Sequence, residues 1–362
     1  MRISLDDAQR ILSGSSWTVI EALGEGGGGT VFLCVHTGLV KDLRAVGLQI
    51  MDAVDLRKTA RGGGFPDPGF EDKTAVAPAF LGHLLHAIRG GHGLSAVKIP
   101  SQEAMQSTES ERFVREIAAM KGQCDPSLIR LLDHDGKSPA KWLAMEYHPR
   151  GDVERPENRT NYLGKPLAVL RALKPIAEGL EILHDRRIIH RDVKPKNIFV
   201  ADDGHLVLGD FGIALSDDDS ARLTGATIQS KDWVPDWVRF KKQAQYSPAV
   251  DVFMLARVAH FLISGEKVMS SQLAGEVEDL KRRFPDAQGF DATMELLRKC
   301  IVSQEKDCAL EVSVLTRLTV YCCPSRQLRR AALSFHSSPS RPAATSFRVA
   351  ECLRTSVAPC QT

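Results

Sequence analysis

The sequence predicts an α+β fold with strands concentrated in its first part and helices in the rest, and three observations lead there. Thr30 to Val35 is a β-branched, apolar run behind a cluster of glycines and reads as a strand. Val169 to His184 sets Leu170, Leu173, Ile176, Leu180 and Leu183 on one face at helical spacing. Just past Tyr246-Ser247-Pro248, the run Ala249-Val250-Asp251-Val252-Phe253 begins an apolar helix.

Taken in order, Leu23-Gly24-Glu25-Gly26-Gly27-Gly28-Gly29-Thr30-Val31 fits the pattern GxGxxGxV, with Gly24, Gly26 and Gly29 in the three glycine places. Glycines let backbone amides approach a phosphate with no side chain in the way. A dinucleotide-binding turn also uses GxGxxG and finds an acid at Asp42, but that turn must open a helix, and a strand follows here. A nucleoside-triphosphatase P-loop is excluded because no Lys-Ser or Lys-Thr closes the run. Ala96-Val97-Lys98-Ile99 places a lysine on a strand, and Glu116 lies in the helical stretch Glu111 to Ile117; either charge alone reads as a solvated surface group. Trp142 to His148 reads as a buried strand that runs into a Pro-Arg-Gly turn. The short apolar strand His205 to Gly209 delivers Asp210.

The chemistry concentrates in His190-Arg191-Asp192-Val193-Lys194-Pro195-Lys196-Asn197 and, downstream, Asp210-Phe211-Gly212. Phosphoryl transfer needs the charge of the moving group neutralised while a hydroxyl is held in line with it. Asp192 suits the base that orients the hydroxyl, Asn197 and Asp210 are hard oxygen ligands of the kind magnesium prefers, and Lys194 offsets phosphate charge. A three-residue Asp-Phe-Gly is weak by itself, since Asp and Gly are common turn residues. The eight-residue loop ahead of it is far more specific.

In these two motifs the chain resembles the eukaryotic-type serine/threonine protein kinases. The loop matches their HRDxKxxN form, with Lys194 as the lysine characteristic of that class. The resemblance implies a two-lobed fold, with a small β-rich N-lobe carrying one helix and a larger, mainly helical C-lobe. It implies transfer of the γ-phosphoryl group of ATP to protein Ser or Thr hydroxyls, with Asp192 as base and Mg2+ held by Asn197 and Asp210. Lys98 would meet the phosphates, with Glu116 positioning it. ATP would contact Gly24, Glu25, Gly26, Gly29 and Val31 from the glycine loop and Met145 at the back of the adenine pocket. The backbone of Glu146 and His148 would meet the adenine edge, and Asp152 the ribose. Two rival readings are a pseudokinase or nucleotide-binding scaffold, against which all the catalytic residue types are present, and a small-molecule kinase of the aminoglycoside or choline type. The latter usually lacks the Arg191 and Lys194 pattern.

The resemblance also organises the rest of the chain. Residues 1–16 precede the N-lobe of 17–148, which contains an insertion at about 36–94 with the loop-forming run Arg61-Gly62-Gly63-Gly64. The C-lobe spans 149–323. A basic Ser/Pro/Arg-rich tail at 324–362 reads as disordered, and tail or insertion is the expected docking surface for a partner. The polar stretch from Gly212 to about Asp236 resembles an activation segment, with Thr224 and Thr227 as phosphosites whose phosphate Arg191 would meet. Trp233-Val234-Pro235-Asp236 stands where Ala-Pro-Glu is usual, and Cys308 falls where an arginine commonly pairs with that acid, so this brace is expected to be weak. Asp251 resembles the buried acid that supports the catalytic loop. The helix Met294 to Cys300 is the late large-lobe helix.

The bulk composition agrees with one catalytic unit. With 362 residues, 43% of them hydrophobic, the chain can bury a large core. A net charge of +2 predicts no nucleic-acid or membrane partner. No run reaches the roughly 20 apolar residues of a membrane span, since Val252 to Ile263 is broken by Arg257 and His260. The expectation is a soluble cytoplasmic protein. The 8 cysteines show no CxxC spacing, which predicts reduced thiols in place of a zinc site or disulfide framework.

Overall fold

The computed structural model describes residues 3–26, 29–38, 93–105, 109–137, 140–212, 215–216, 232–239, 246–267 and 273–308. Thr224, Thr227, most of the 36–94 stretch and the 324–362 tail lie outside the described residues.

A five-stranded antiparallel sheet forms the N-lobe. Its strands are β1 (Trp17–Gly26), β2 (Gly29–His36), β3 (Leu94–Pro100), β4 (Leu131–His134) and β5 (Leu143–Glu146), in the order β1-β2-β3-β5-β4. Although 57 residues separate His36 from Leu94 in sequence (37 to 93), β2 and β3 pair without a register shift from Gly29 opposite Pro100 to Val35 opposite Leu94. The His36 amide then donates to the Gly93 carbonyl at 2.8 Å. The intervening chain therefore leaves and returns at one end of the hairpin.

Alternation along each strand separates two faces. Phe32, Cys34, Val97, Ile99 and Ala144 share one face and form a cluster with Trp17. Helix α1 (Leu5–Ile11) covers that cluster, so the chain ahead of the sheet belongs to the N-lobe core. Ala8 and Leu12 are buried there, Ser4 caps the helix through the Asp7 amide, and Gln9 accepts the Val19 amide at 2.9 Å. The opposite face carries Val31, Ala96, Lys98 and Met145 towards a cleft.

The short helix α2 (Gln102–Met105) leads to α3 (Glu109–Met120), which lies beside the sheet. Phe113, Ile117 and Met120 form its buried stripe, and Glu116 falls on the same stripe. A carboxylate in that place needs a partner to offset its lost hydration.

The C-lobe is built on helices. After α4 (Pro156–Arg159), α5 (Pro166–Asp185) buries Leu173, Ile176, Leu180 and Leu183, as its periodicity predicts. It packs against α7 (Ala249–Ser264), a helix buried on every side and therefore the axis of the lobe. Between them in sequence come β6 (Ile188–Ile189), β7 (Ile198–Val200), β8 (Leu206–Leu208), β9 (Leu215–Ser216) and α6 (Asp236–Arg239). Helices α8 (Leu273–Arg283) and α9 (Phe290–Cys300) complete the described part. No helix among the described residues is long and apolar enough to cross a membrane.

The brace that the sequence led us to expect as weak takes a different form. Trp233 meets Phe261 edge-on at 5.6 Å, and Trp237 meets Phe253 at 5.0 Å, so aromatic packing seats this segment on α7. Cys308 is buried, and its thiol donates to the Cys300 and Ala249 carbonyls at 3.3 and 3.7 Å.

Leu12→Ala is expected to lower unfolding stability by about 2–4 kcal/mol, because it empties the space between α1 and the sheet. Leu5→Ala, at a half-exposed position, is the control expected to stay within about 0.5 kcal/mol in the same urea titration.

Candidate active site

The loop that connects β6 to β7 is shaped by one carboxylate beneath it. Asp251, in the first turn of α7, is completely buried and accepts the His190 and Arg191 amides at 2.8 and 2.7 Å. His184, from the end of α5, meets the same carboxylate at 2.9 Å. Arg191 takes a φ of +64°, a left-handed backbone that these two hydrogen bonds hold. Burial alone would raise the Asp251 carboxyl, but His184, His190 and the loop amides outweigh it and hold it below its ordinary 3.8.

The turned loop presents Asp192 to the cleft. Lys194 Nζ donates to both Asp192 oxygens, at 2.8 and 3.1 Å, and Asn197 Nδ2 donates to Asp192 Oδ2 and to its main-chain carbonyl, both at 2.9 Å. The Asn197 amide nitrogen is thus engaged, which leaves its oxygen as the end able to meet a cation. The Asp192 amide donates to His190 Nδ1 at 3.3 Å, and burial lowers the His190 pKa, so a neutral imidazole fits that place.

Asp210 reaches the same cleft from β8. The Gly209 amide donates to the Asn197 carbonyl at 2.8 Å, tying the two candidate metal ligands together through the backbone. Phe211 is buried with its ring 4.9 Å from that of His190, and with Phe211 held inside, the Asp210 carboxylate is left 43% exposed to the cleft. Lost water contact works to raise Asp210, yet Lys98, Lys194 and the Gly212 amide together hold it below its usual value. It is therefore an ionised oxygen donor at neutral pH.

Lys98 joins the lobes. Its Nζ donates to the two Glu116 oxygens at 2.7 and 2.8 Å and lies 3.6 Å from Asp210 Oδ1. Burial would depress the ammonium, but Glu116 and Asp210 reverse this and hold it above its ordinary value. Gly212 closes the group: a Cβ there would come within 3.1 Å of Asp210 Oδ1 and 3.2 Å of Lys98 Nζ. Gly29 answers a different constraint, because a Cβ there would collide with the Ile99 carbonyl where β3 crosses.

These groups line one cleft of about 510 Å³ between the lobes. Gly24, Glu25, Gly29, Val31, Lys98 and Glu116 border it from the N-lobe. Met145, Glu146, His148 and Asp152 follow along the connection between the lobes, and Asp192, Asn197 and Asp210 form the floor. Gly26 pairs with Gly29 across the turn of the glycine hairpin. Asp152 accepts the Glu154 amide and lies 3.5 Å from Arg155, so its carboxylate already has an ionic neighbour. Motif reading passed over Phe199, Arg155 and Lys196, which also border the cleft. Phe199 lies two residues past Asn197 on the short strand β7 and stacks on His148 at 6.0 Å, a pairing of distant segments with no local sequence signal.

Two lobes around a cleft of this composition define the protein kinase class of phosphotransferase. The profile of the protein kinase domain matches residues 82–312, and the chain belongs to that family, of the eukaryotic serine/threonine type. Similar proteins include Aurora/IPL1-related protein kinase 2 of Caenorhabditis elegans, 24% identical over 257 residues that make up 69% of this chain and 83% of that protein. Serine/threonine-protein kinase pak-1 of the same organism is 28% identical over 61% of this chain and 37% of its own length. Serine/threonine-protein kinase CST20 of Candida albicans is 26% identical over 58% of this chain and 17% of its own length. The chain thus spans well under half the length of the latter two.

Asp251→Asn is expected to cost about 3–5 kcal/mol, since an amide cannot accept all three donors. Its pH dependence carries a sign. A depressed carboxyl contributes stability that is fully present above its unfolded value near 3.8 and is lost as pH falls through the lower folded value. Unfolding free energies measured below about pH 4 are expected to fall less steeply in the variant than in the wild type.

Proposed function

We propose that this chain transfers the γ-phosphoryl group of ATP to serine and threonine hydroxyls of proteins. The observation that carries the proposal is the closed set Glu116–Lys98–Asp210 facing an Asp192 held by Lys194 and Asn197 across one cleft. Asp192 is fixed by donors on one side and orients the acceptor hydroxyl, taking its proton as the new bond to the γ-phosphorus forms and the bond from that phosphorus to the ADP oxygen breaks, releasing ADP. Lys98, only 18% exposed, places a fixed charge against the nucleotide phosphates where water screens it little. Lys194 adds a second charge on the acceptor side. The donor set of Asn197 and Asp210, one amide oxygen and one ionised carboxylate, fits magnesium. When bound, that ion would supply neutralisation of phosphate charge.

Gly24, Glu25 and Gly29 of the glycine hairpin border the same cleft, where backbone amides suit phosphates, while Met145 and Phe199 give the adenine an apolar slot. The intact Lys98–Glu116 pair speaks against a scaffold that binds nucleotide without turning it over. Protein substrates follow from the family; the tail and the 36–94 insertion are the proposed docking segments.

Asp192→Asn is expected to lower the rate of transfer to a generic protein substrate by about 100-fold to 10,000-fold, with ATP affinity within about threefold of wild type. Steady-state transfer and calorimetric ATP binding, measured side by side, check this. Equal transfer by the variant, or ATP binding without transfer in the wild type, would overturn the assignment.

A further inference from the structure

Arg191 is 2% exposed, an unusual environment for a guanidinium. It is attached at both ends to the segment that opens α7. Its main-chain amide donates to Asp251 Oδ1 at 2.7 Å, and its guanidinium carbon lies 4.3 Å from the centre of the Tyr246 ring. That distance is within the range of a cation–π contact, which is strongest where water is excluded. The Tyr246 segment is anchored in turn. Ser247 Oγ donates to Glu305 at 2.6 Å, the Val250 amide donates to the Ser247 carbonyl, and the Cys308 thiol reaches Ala249.

The electrostatic setting explains what the ring does. Burial, helped by Arg112 and Arg115 of α3 and opposed by Tyr246 and Asp251, brings Arg191 down to about 10. The guanidinium stays charged at neutral pH, close to two like charges. A π face from the polypeptide steadies that charge without any group added to the chain.

We infer that Tyr246 is a positioning residue: by stacking on Arg191 it holds the 190–197 loop in its working geometry, so that transfer proceeds without a phosphate on the chain's own segment between Gly212 and Asp236. The inference rests on the kinase reading above. It departs from the expectation that Arg191 waits for a phosphate on Thr224 or Thr227.

The test uses the full chain as wild type, Tyr246→Phe and Tyr246→Leu, each divided and treated or not with a broad-specificity phosphatase that is then removed. Intact mass reports the phosphates present, and initial rates give kcat and KM. Treated and untreated wild type are expected to agree within about twofold, and Tyr246→Phe, which keeps the ring, is expected to behave alike. Tyr246→Leu is expected to lose about tenfold or more in kcat, with KM for ATP changed less than about twofold. Its rate is expected to become dependent on phosphorylation, a response that loss of packing alone would not produce. A wild type that loses its rate on dephosphorylation overturns the inference with no variant needed. So does a Tyr246→Leu enzyme with wild-type kcat. An untreated wild type that transfers nothing overturns the kinase reading itself, and the inference with it.

Discussion

The Asp251 carboxylate is the contact on which the rest of the catalytic arrangement depends. It lies at the positive end of α7, the buried axis of the C-lobe, where a helix N-terminus stabilises negative charge. Its two oxygens hold two consecutive amides of the loop, which forces Arg191 into a left-handed turn and sends Asp192 into the cleft. A loop with few apolar residues cannot keep one shape by packing. Here it is held by hydrogen bonds to a group that cannot move without disrupting the core.

A second constraint links the lobes. Glu116 interrupts the apolar stripe of α3, and Lys98 interrupts the cleft face of β3; each is the counterion that makes the other's position tolerable. Asp210 joins this pair only because Phe211 is held inside, against His190. The position of the helix, the seat of the phenylalanine and the direction of the carboxylate are therefore a single arrangement, and Gly212 keeps it free of a side chain that would force the three charges apart.

Much of the cleft was legible in the sequence because its groups come in short, ordered runs. The loop from His190 to Asn197 and the Asp210-Phe211-Gly212 turn fix their own spacing within a few bonds. The lysine and glutamate were legible only by their order along the chain, since nothing local separates Lys98 or Glu116 from a surface charge. The family profile begins at residue 82, beyond the glycine run, yet β2 takes its place beside β3 in unbroken register from Gly29 to Val35, with β1 on its other edge. Loop closure entropy grows slowly with length, so a long excursion between paired strands costs little more than a short one.

What the sequence determined by itself was the candidate chemistry: which side chains can offer oxygen ligands, a base and fixed cations, and the periodicities that place them on strands, helices and turns. The tertiary structure decided which distant groups meet. It brought Phe199 against His148, seated α1 over the sheet, packed Trp233 and Trp237 on α7 where the brace was expected to be weak, and set Arg191 on Tyr246. The physical reason is the range of the interactions. Hydrogen-bonded turns and apolar repeats act between near neighbours and are written in local spacing. A ring under a guanidinium, or an indole against a phenyl, joins segments tens of residues apart and exists only once the core has closed.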